Sequence, residues 1–322
     1  MRPCPTKNWL RQWQVGFAVA SFLVVATVPA TELAATLHQA SFSVVRLMAT
    51  SAEGRHFFGS GVALRSDAVA TNCHVTRLAQ NVWVFFGNAV LIARSQRADP
   101  VHDLCVLDVP GLNAPAAQIA EPDLLKVGDR VHAMGYGAFQ GFIHQGGTVN
   151  GLFQFDGARV IESNAAFPHG ASGGGLFDAE GRLVGLLTFY RTADEAQTDY
   201  FSIPIGWLKH LDNVAATSIA PTSTTPFWAD PLERQPLFLQ AGALEAAGLW
   251  NQLLSVAEQW TRMHPEDPHA WLTLGKAALR TGNTNVVDRA RLRLARIALV
   301  TPQDAENVPA GARVGEEGGV SN

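Results

Sequence analysis

The chain has 322 residues, 47% of them apolar and only 16% charged, with a net charge of −4. That length and apolar content allow a large buried core and roughly two domains. The low charge, with no basic stripe along the chain, argues against a phosphate-binding surface and excludes nucleic acid as an expected partner.

Residues 1–30 read as an export signal. Arg2, Lys7 and Arg11 give a positive start, residues 15–28 form an apolar run, and Val28-Pro29-Ala30 offers small residues for cleavage. The competing reading is an uncleaved membrane anchor, but the run is shorter than the roughly 20 residues a spanning helix needs. No second apolar segment of that length follows, so the expected mature protein is soluble and periplasmic or secreted. Cys4 would leave with the signal. Cys73 and Cys105 remain, an even count that permits one disulfide in an oxidising compartment.

Residues 38–212 read as a domain of short strands and turns. Strand-like runs are Ser43-Val44-Val45-Arg46-Leu47, Gly61-Val62-Ala63-Leu64, Asn81-Val82-Trp83-Val84-Phe85-Phe86 and Leu104-Cys105-Val106-Leu107. Further ones are Arg130-Val131-His132-Ala133-Met134, Ala158-Arg159-Val160-Ile161 and Leu183-Val184-Gly185-Leu186-Leu187, with Gly, Asp, Asn and Pro between them. Short strands at this spacing point to an all-β barrel or sandwich rather than to βαβ units. Residues 213–231, rich in Thr, Ser, Ala and Pro, read as an extended linker.

The period then becomes helical over residues 232–300. Leu237, Ala241, Leu244 and Ala247 recur at three- and four-residue steps, as do Leu253, Val256, Ala257 and Trp260. Pro265-Glu266-Asp267-Pro268 breaks the chain before a helix over 269–280, Thr281-Gly282-Asn283 stops that helix, and a last one covers 286–300. Gly248 and Gly282 lie 34 residues apart, as do Ala241 and Gly275. This period, with Trp271-Leu272-Thr273-Leu274-Gly275, resembles the tetratricopeptide repeat; plain helical hairpins packed on the barrel are the alternative. Two repeats are fewer than the three or so that usually stand alone, so docking or self-association is expected. Residues 301–322, rich in Gly, Glu and Pro, read as a disordered tail.

The chemistry concentrates at three points. In Gly170-Ala171-Ser172-Gly173-Gly174 a serine between glycines can occupy a tight turn, its hydroxyl exposed and backbone N–H groups converging nearby. His74 in Thr71-Asn72-Cys73-His74-Val75 is a candidate base. Asp103, at the mouth of the apolar run Leu104-Cys105-Val106-Leu107, is a carboxylate whose burial needs hydrogen-bonding partners. The chain order His, Asp, Ser is that of chymotrypsin-like enzymes rather than of subtilisins or α/β-hydrolases.

With these residues in order, the chain resembles the trypsin-like serine peptidases of bacteria, in the HtrA/Do-like branch, from about Phe58 to Leu208. The motifs already quoted carry the resemblance, together with Gly59-Ser60-Gly61, Val127-Gly128-Asp129-Arg130-Val131, Gly146-Gly147-Thr148-Val149 and Phe201-Ser202-Ile203-Pro204. The resemblance implies a mainly β fold, a double six-stranded β-barrel of chymotrypsin type, here followed by a small all-α module of helical hairpins. It implies Ser172 as nucleophile, His74 as base, Asp103 as the acid that orients it, and the N–H groups of Gly170 and Ser172 as an oxyanion hole. Thr188 matches the position whose hydroxyl commonly supports the aspartate.

The specificity pocket is then expected between Ala165-Ala166-Phe167 and Thr188-Phe189-Tyr190. No acid stands at its base unless Glu162 intrudes, which favours small or medium apolar side chains over Lys or Arg before the cut. Cys73 and Cys105 would flank the triad on strands held close by the His–Asp hydrogen bond, and a disulfide between them is expected. Ala171 departs from the Asn or Asp usual before the nucleophile, Gly175 replaces the usual proline, and no PDZ-like segment follows. No metal-ligand spacing links His102, His132, His144 and His169, so neither metal nor other cofactor is expected. Expected partners are protein or peptide substrates, and the C-terminal helices offer a surface for a protein partner or a second copy. The alternative to an exported endopeptidase is a catalytically silent, protease-like binding protein that recruits through its helices.

Overall fold

The computed structural model describes residues 30–121, 124–194 and 197–300. Residues 1–29 and 301–322, on which the expected export signal and the expected disordered tail fall, lie outside the described residues. The first element is a helix, α1 (Ala30–Ser41), followed by β1 (Val44–Thr50), β2 (His56–Arg65), β3 (Ala68–Thr71) and the one-turn helix α2 (Cys73–Thr76). Then come β4 (Asn81–Phe86), β5 (Ala89–Ile92), β6 (Ser95–Asp99) and β7 (Leu104–Asp108). These strands form one antiparallel sheet in the order β5-β4-β1-β2-β3-β7-β6.

That sheet curls until its two ends nearly meet. Ala93 donates its N–H to Val82 of β4, and the next residue, Arg94, donates to Asp108 of β7. The seventh strand relative to expectation is β5, a short hairpin arm beyond β4. Inside the curl lie Val45, Leu47, Val69, Val82, Val84 and Leu107, and the alternation of burial along β1 follows from side chains pointing to opposite faces.

The second half closes fully. β8 (Arg130–Tyr136), β9 (Phe142–Phe155), β10 (Ala158–Ser163), β11 (Gly175–Asp178), β12 (Leu183–Asp194) and β13 (Gln197–Pro204) form a barrel in the order β10-β13-β12-β11-β8-β9. Val131, Ala133, Ile161, Leu176 and Leu187 fill it. The chymotrypsin-like pair of β units is therefore present as a closed six-stranded barrel and a half-barrel sheet of seven strands in place of a second six-stranded barrel. A 3-10 turn, Ile205–Leu211, leaves the second barrel and buries Trp207.

Residues 213–231 carry no helix or strand, with a turn over 227–229, and they are bound to the protein rather than spanning free space. Thr217 and Gln96 exchange backbone hydrogen bonds at 2.8 Å, and Thr222 donates to Arg77. After them come α3 (Leu237–Ala246), α4 (Trp250–Met263), α5 (Pro268–Arg280) and α6 (Thr284–Val300), packed consecutively. Gly248 and Gly282 stop α3 and α5 in the left-handed region at φ 67° and 74°, where glycine avoids the Cβ penalty. Asp267 caps α5 by accepting from the His269 N–H at 2.9 Å, with Pro268 at the first helical position.

The helices lie on the outer face of the second barrel. Phe238 of α3 stacks on Phe153 of β9, centroids 4.6 Å apart and planes 2° from parallel. Arg191 of β12 donates to the Leu239 carbonyl at 2.6 Å and to Gln235 Oε1 at 2.5 Å. One apolar cluster thus runs from barrel residues such as Phe201 and Ile203 into Phe238, Leu253 and Trp260.

Candidate active site

Pairing of β3 with β7 brings Thr71 opposite Cys105 and so sets the loops that follow β3 and precede β7 side by side. Asn72 has extended backbone at the start of α2, whose single turn carries His74. Asp103 sits before β7 with φ 61°, a left-handed conformation that aspartate tolerates better than most residues. Its side chain is wholly buried, while that of His74 is 22% exposed.

The carboxylate grips the histidine twice. Oδ1 accepts the His74 backbone N–H and Oδ2 bonds the ring Nδ1, each at 2.7 Å. This holds the imidazole with Nδ1 toward the acid and leaves Nε2 for other chemistry. The backbone is tied as well: the Asp103 carbonyl accepts from the Cys73 N–H at 3.2 Å and from Asn72 Nδ2 at 3.1 Å. Cys73 and Cys105 form a disulfide, with Cα atoms 5.0 Å apart.

The serine turn is clamped between the two barrels. The Ser172 carbonyl accepts the Ser60 N–H at 2.8 Å, and Ser60 Oγ donates to the Gly170 carbonyl at 3.0 Å. From the other side, the Gly173 N–H donates to Leu187 at 2.8 Å. Gly173 has φ 82°, and a Cβ there would fall 2.3 Å from both Ser60 O and Thr71 Oγ1, so no side chain fits. Ala171 is fully buried in the second barrel's core, so close to Gly135 that a Cβ on that glycine would fall 3.1 Å from the Ala171 Cβ.

Two backbone N–H groups of this turn are left without a backbone partner among the described residues. The His169 carbonyl accepts from Ala138 at 2.9 Å and the Ala171 carbonyl from Gly174 at 2.8 Å. In a trans peptide the N–H points opposite to the carbonyl, so Gly170 and Ser172 direct their N–H groups away from those partners. Among the described residues neither N–H donates to a backbone carbonyl. Ser172 Oγ lies 3.3 Å from the Thr188 carbonyl and, among the described residues, makes no hydrogen bond to His74. Catalytic hydrogen bonds are often loose in the absence of substrate.

The expected pocket residues separate. Phe167 packs against Tyr190 and Tyr200, at 6.3 and 5.1 Å between centroids, and His169 Nε2 bonds the Tyr190 hydroxyl at 2.7 Å. Ala166, next to the buried Phe167, keeps partial exposure. Phe189 turns the other way, stacking on Phe201 at 4.8 Å and Trp228 at 5.0 Å, so its ring belongs to the core under the helices and not to the cleft. Glu162 lies beside Gly151, paired in register with Phe201.

Thr188 does not support Asp103. Its hydroxyl donates to Leu186 O at 2.8 Å and accepts from Asn72 Nδ2 and the Ile203 N–H. The side-chain donor at Asp103 is instead Trp228, whose indole N–H reaches Oδ2 at 3.0 Å across 125 residues of sequence. Nothing in the local pattern around Trp228 marks it. Ser60 was likewise visible only as part of a Gly-Ser-Gly motif.

A second polar cluster stands behind the acid loop. His102 Nδ1 meets Asp99 Oδ2 at 2.6 Å, its Nε2 meets Asp156 at 2.8 Å, and His210 reaches Asp99 at 3.2 Å. Burial alone would lower the His102 pKa; the hydrogen bond to Asp99 and the charges of Asp99 and Asp156 outweigh it and raise the pKa. Asp99, His102 and His210 bring ligand-type atoms within 4.8 Å of one another, a grouping that sequence spacing alone did not reveal. Both His102 nitrogens face carboxylates, which makes this an ion-pair network rather than a set of free lone pairs.

Residues 59–186 match the family model described as a trypsin-like peptidase domain. Over 171 residues the chain is 30% identical to a protein of Buchnera aphidicola named "Probable periplasmic serine endoprotease DegP-like", covering 48% of this chain and 36% of that protein. The chain spans about a third of the length of such curated relatives. It is also similar to the solved structure of the HtrA-type protease AlgW with a tripeptide, at 27% identity and TM-score 0.51, covering 55% of this chain and 61% of that one. A third similarity is to the active form of the Rv3671c protease from M. tuberculosis, at 26% identity and TM-score 0.52, covering 67% of this chain and 99% of that one.

Proposed function

We propose that this chain, which carries a trypsin-like peptidase domain with HtrA- and DegP-like relatives, is an exported serine endopeptidase. The observation that carries the reading is the coincidence of the hydrogen-bonded pair of His74 and the buried Asp103 with a serine turn whose Gly170 and Ser172 N–H groups make no backbone hydrogen bond among the described residues. In this reading Ser172 Oγ attacks the scissile carbonyl as His74 takes its proton, and Asp103 holds the imidazole and stabilises its charged form. The two N–H groups receive the oxyanion; one such donor is typically worth about 3 kcal/mol of barrier. His74 then returns the proton to the leaving amine, and water repeats the cycle on the acyl-enzyme.

The substrate class is unfolded or exposed protein segments. We take small or medium apolar side chains, rather than Lys or Arg, as the residues before the cut; the packed Phe167, Tyr190 and Tyr200 rings support an apolar wall. We take residues 38–212 as the catalytic unit, 232–300 as the helical module and the first 30 as the export leader. The periplasmic naming of relatives and the disulfide support export. Among the described residues no helix is long and apolar enough to cross a membrane.

Labelling with a fluorophosphonate probe, together with casein turnover, tests this. The unmutated chain is expected to label and cleave, and Ser172→Ala to do neither. An unmutated protein inert in both assays would favour the alternative, a protease-like binding protein whose Ser172 hydroxyl stays on the Thr188 carbonyl.

A further inference from the structure

The extended segment between the barrels and the helices passes directly behind the acid of the site. Phe227 donates its N–H to the Val101 carbonyl at 2.9 Å, which fixes the next residue, Trp228, against the loop that carries Asp103. The indole is located on three sides. Its N–H donates to Asp103 Oδ2 at 3.0 Å, its ring meets the His74 ring edge-to-face at 5.5 Å, and its face stacks on Phe189 at 5.0 Å. Gln235, just before α3, donates to the Trp228 carbonyl at 3.1 Å and so ties the residue to the start of the helices.

Asp103 depends on this donor. A wholly buried carboxylate is costly unless its oxygens are hydrogen-bonded. Apart from the two bonds from His74 itself, Trp228 supplies the side-chain hydrogen bond to this carboxylate among the described residues. Thr188, the residue in the usual supporting position, points to Leu186 instead. Removing the indole N–H would leave Oδ2 anchored by the histidine that it is meant to orient. The aspartate of a triad acts by fixing the tautomer and direction of the imidazole, so a carboxylate held only by that histidine fixes it less firmly, without any loss of substrate contacts.

We propose that Trp228 is a positioning residue of the catalytic machinery: its indole N–H holds the Asp103 carboxylate, so that a segment beyond the barrels completes the triad. The proposal rests on the proteolytic reading above. It makes the segment that leads into the helices a structural requirement of catalysis rather than a mere connector.

The test uses the full chain. Trp228→Phe keeps an aromatic ring on Phe189 and removes the donor. Its kcat on a peptide substrate is expected to fall about tenfold, with KM and thermal midpoint close to those of the unmutated protein and fluorophosphonate labelling slowed by the same factor. Trp228→Phe with unchanged kcat, or with the loss confined to KM, overturns the positioning role while leaving the protease reading intact. A second readout needs no turnover: in Ser172→Ala protein, the indole N–H resonance of Trp228 should move when Asp103→Asn is added, with the other tryptophans as internal references. A resonance that stays still removes the hydrogen bond and the proposal with it. If the unmutated protein neither labels nor cleaves, the protease reading falls and takes the positioning role with it, even where the resonance moves.

Discussion

Glu162 on β10 is an acid whose ionisation opposes folding. Burial, reinforced by the charge of Asp199, pushes its carboxyl from 4.5 up to about 7. The sign follows from linkage. A carboxyl raised in the folded state is protonated there while the unfolded chain is already ionised, so stability declines as pH climbs from 4.5 towards 7 and the deficit is constant above that. Glu162→Gln is therefore expected to raise the unfolding free energy by up to about 3 kcal/mol at pH 8 and to change it little at pH 5. Urea titrations of both proteins at the two pH values measure this; an equal effect at both would show that the residue acts by packing rather than by charge. At this scale, motif residues such as His74, Asp103 and Ser172 could be named before any fold was known. The direction of a side chain could not: Phe189 and Thr188 occupy the expected strand, but their side chains bond elsewhere.

The junction of β3, α2 and β7 is the element on which the site depends. Strand register sets Thr71 against Cys105, the helical turn lifts His74, and the disulfide closes a loop across 32 residues of sequence. A loop of that length corresponds to about 3–4 kcal/mol on the chain-entropy account. Replacing both cysteines by serine is expected to lower the unfolding free energy by about that amount. Activity of the folded double variant should stay near that of the unmutated chain, because His74 and Asp103 retain their own direct bonds. Denaturant unfolding beside a peptide assay separates the two quantities. Apolar runs such as those of β4 and β7 were legible because β-branched and aromatic residues cluster in them. The long β9, with glycines and polar residues through its first half, was not: its place between β8 and β10 is decided by pairing on both edges.

Barrels and helices share a core, and that governs the behaviour of the whole molecule. Phe153 of β9 lies under Phe238, Trp260 and His269, from three different helices. Phe238→Ala removes one side of this stack and is expected to cost about 3–5 kcal/mol, with unfolding still a single transition. Combining it with Phe153→Ala should give a coupling of about 0.5–1.5 kcal/mol in a double-mutant cycle. A separate, earlier melting of the helices in the unmutated protein would show that docking contributes little. Local chemistry written along the chain determined the strand-rich then helical character, the glycine stops of α3 and α5, and the order of the His, Asp and Ser motifs. These depend on residues near one another in sequence, where periodicity and turn propensity act. What only the tertiary structure decided was which distant groups meet: Trp228 on Asp103 across 125 residues, His210 on Asp99 across 111, and Arg191 on the first turns of the helical region. Such contacts arise when barrel closure and docking bury polar groups that must then find partners, and no local pattern records which partner that will be.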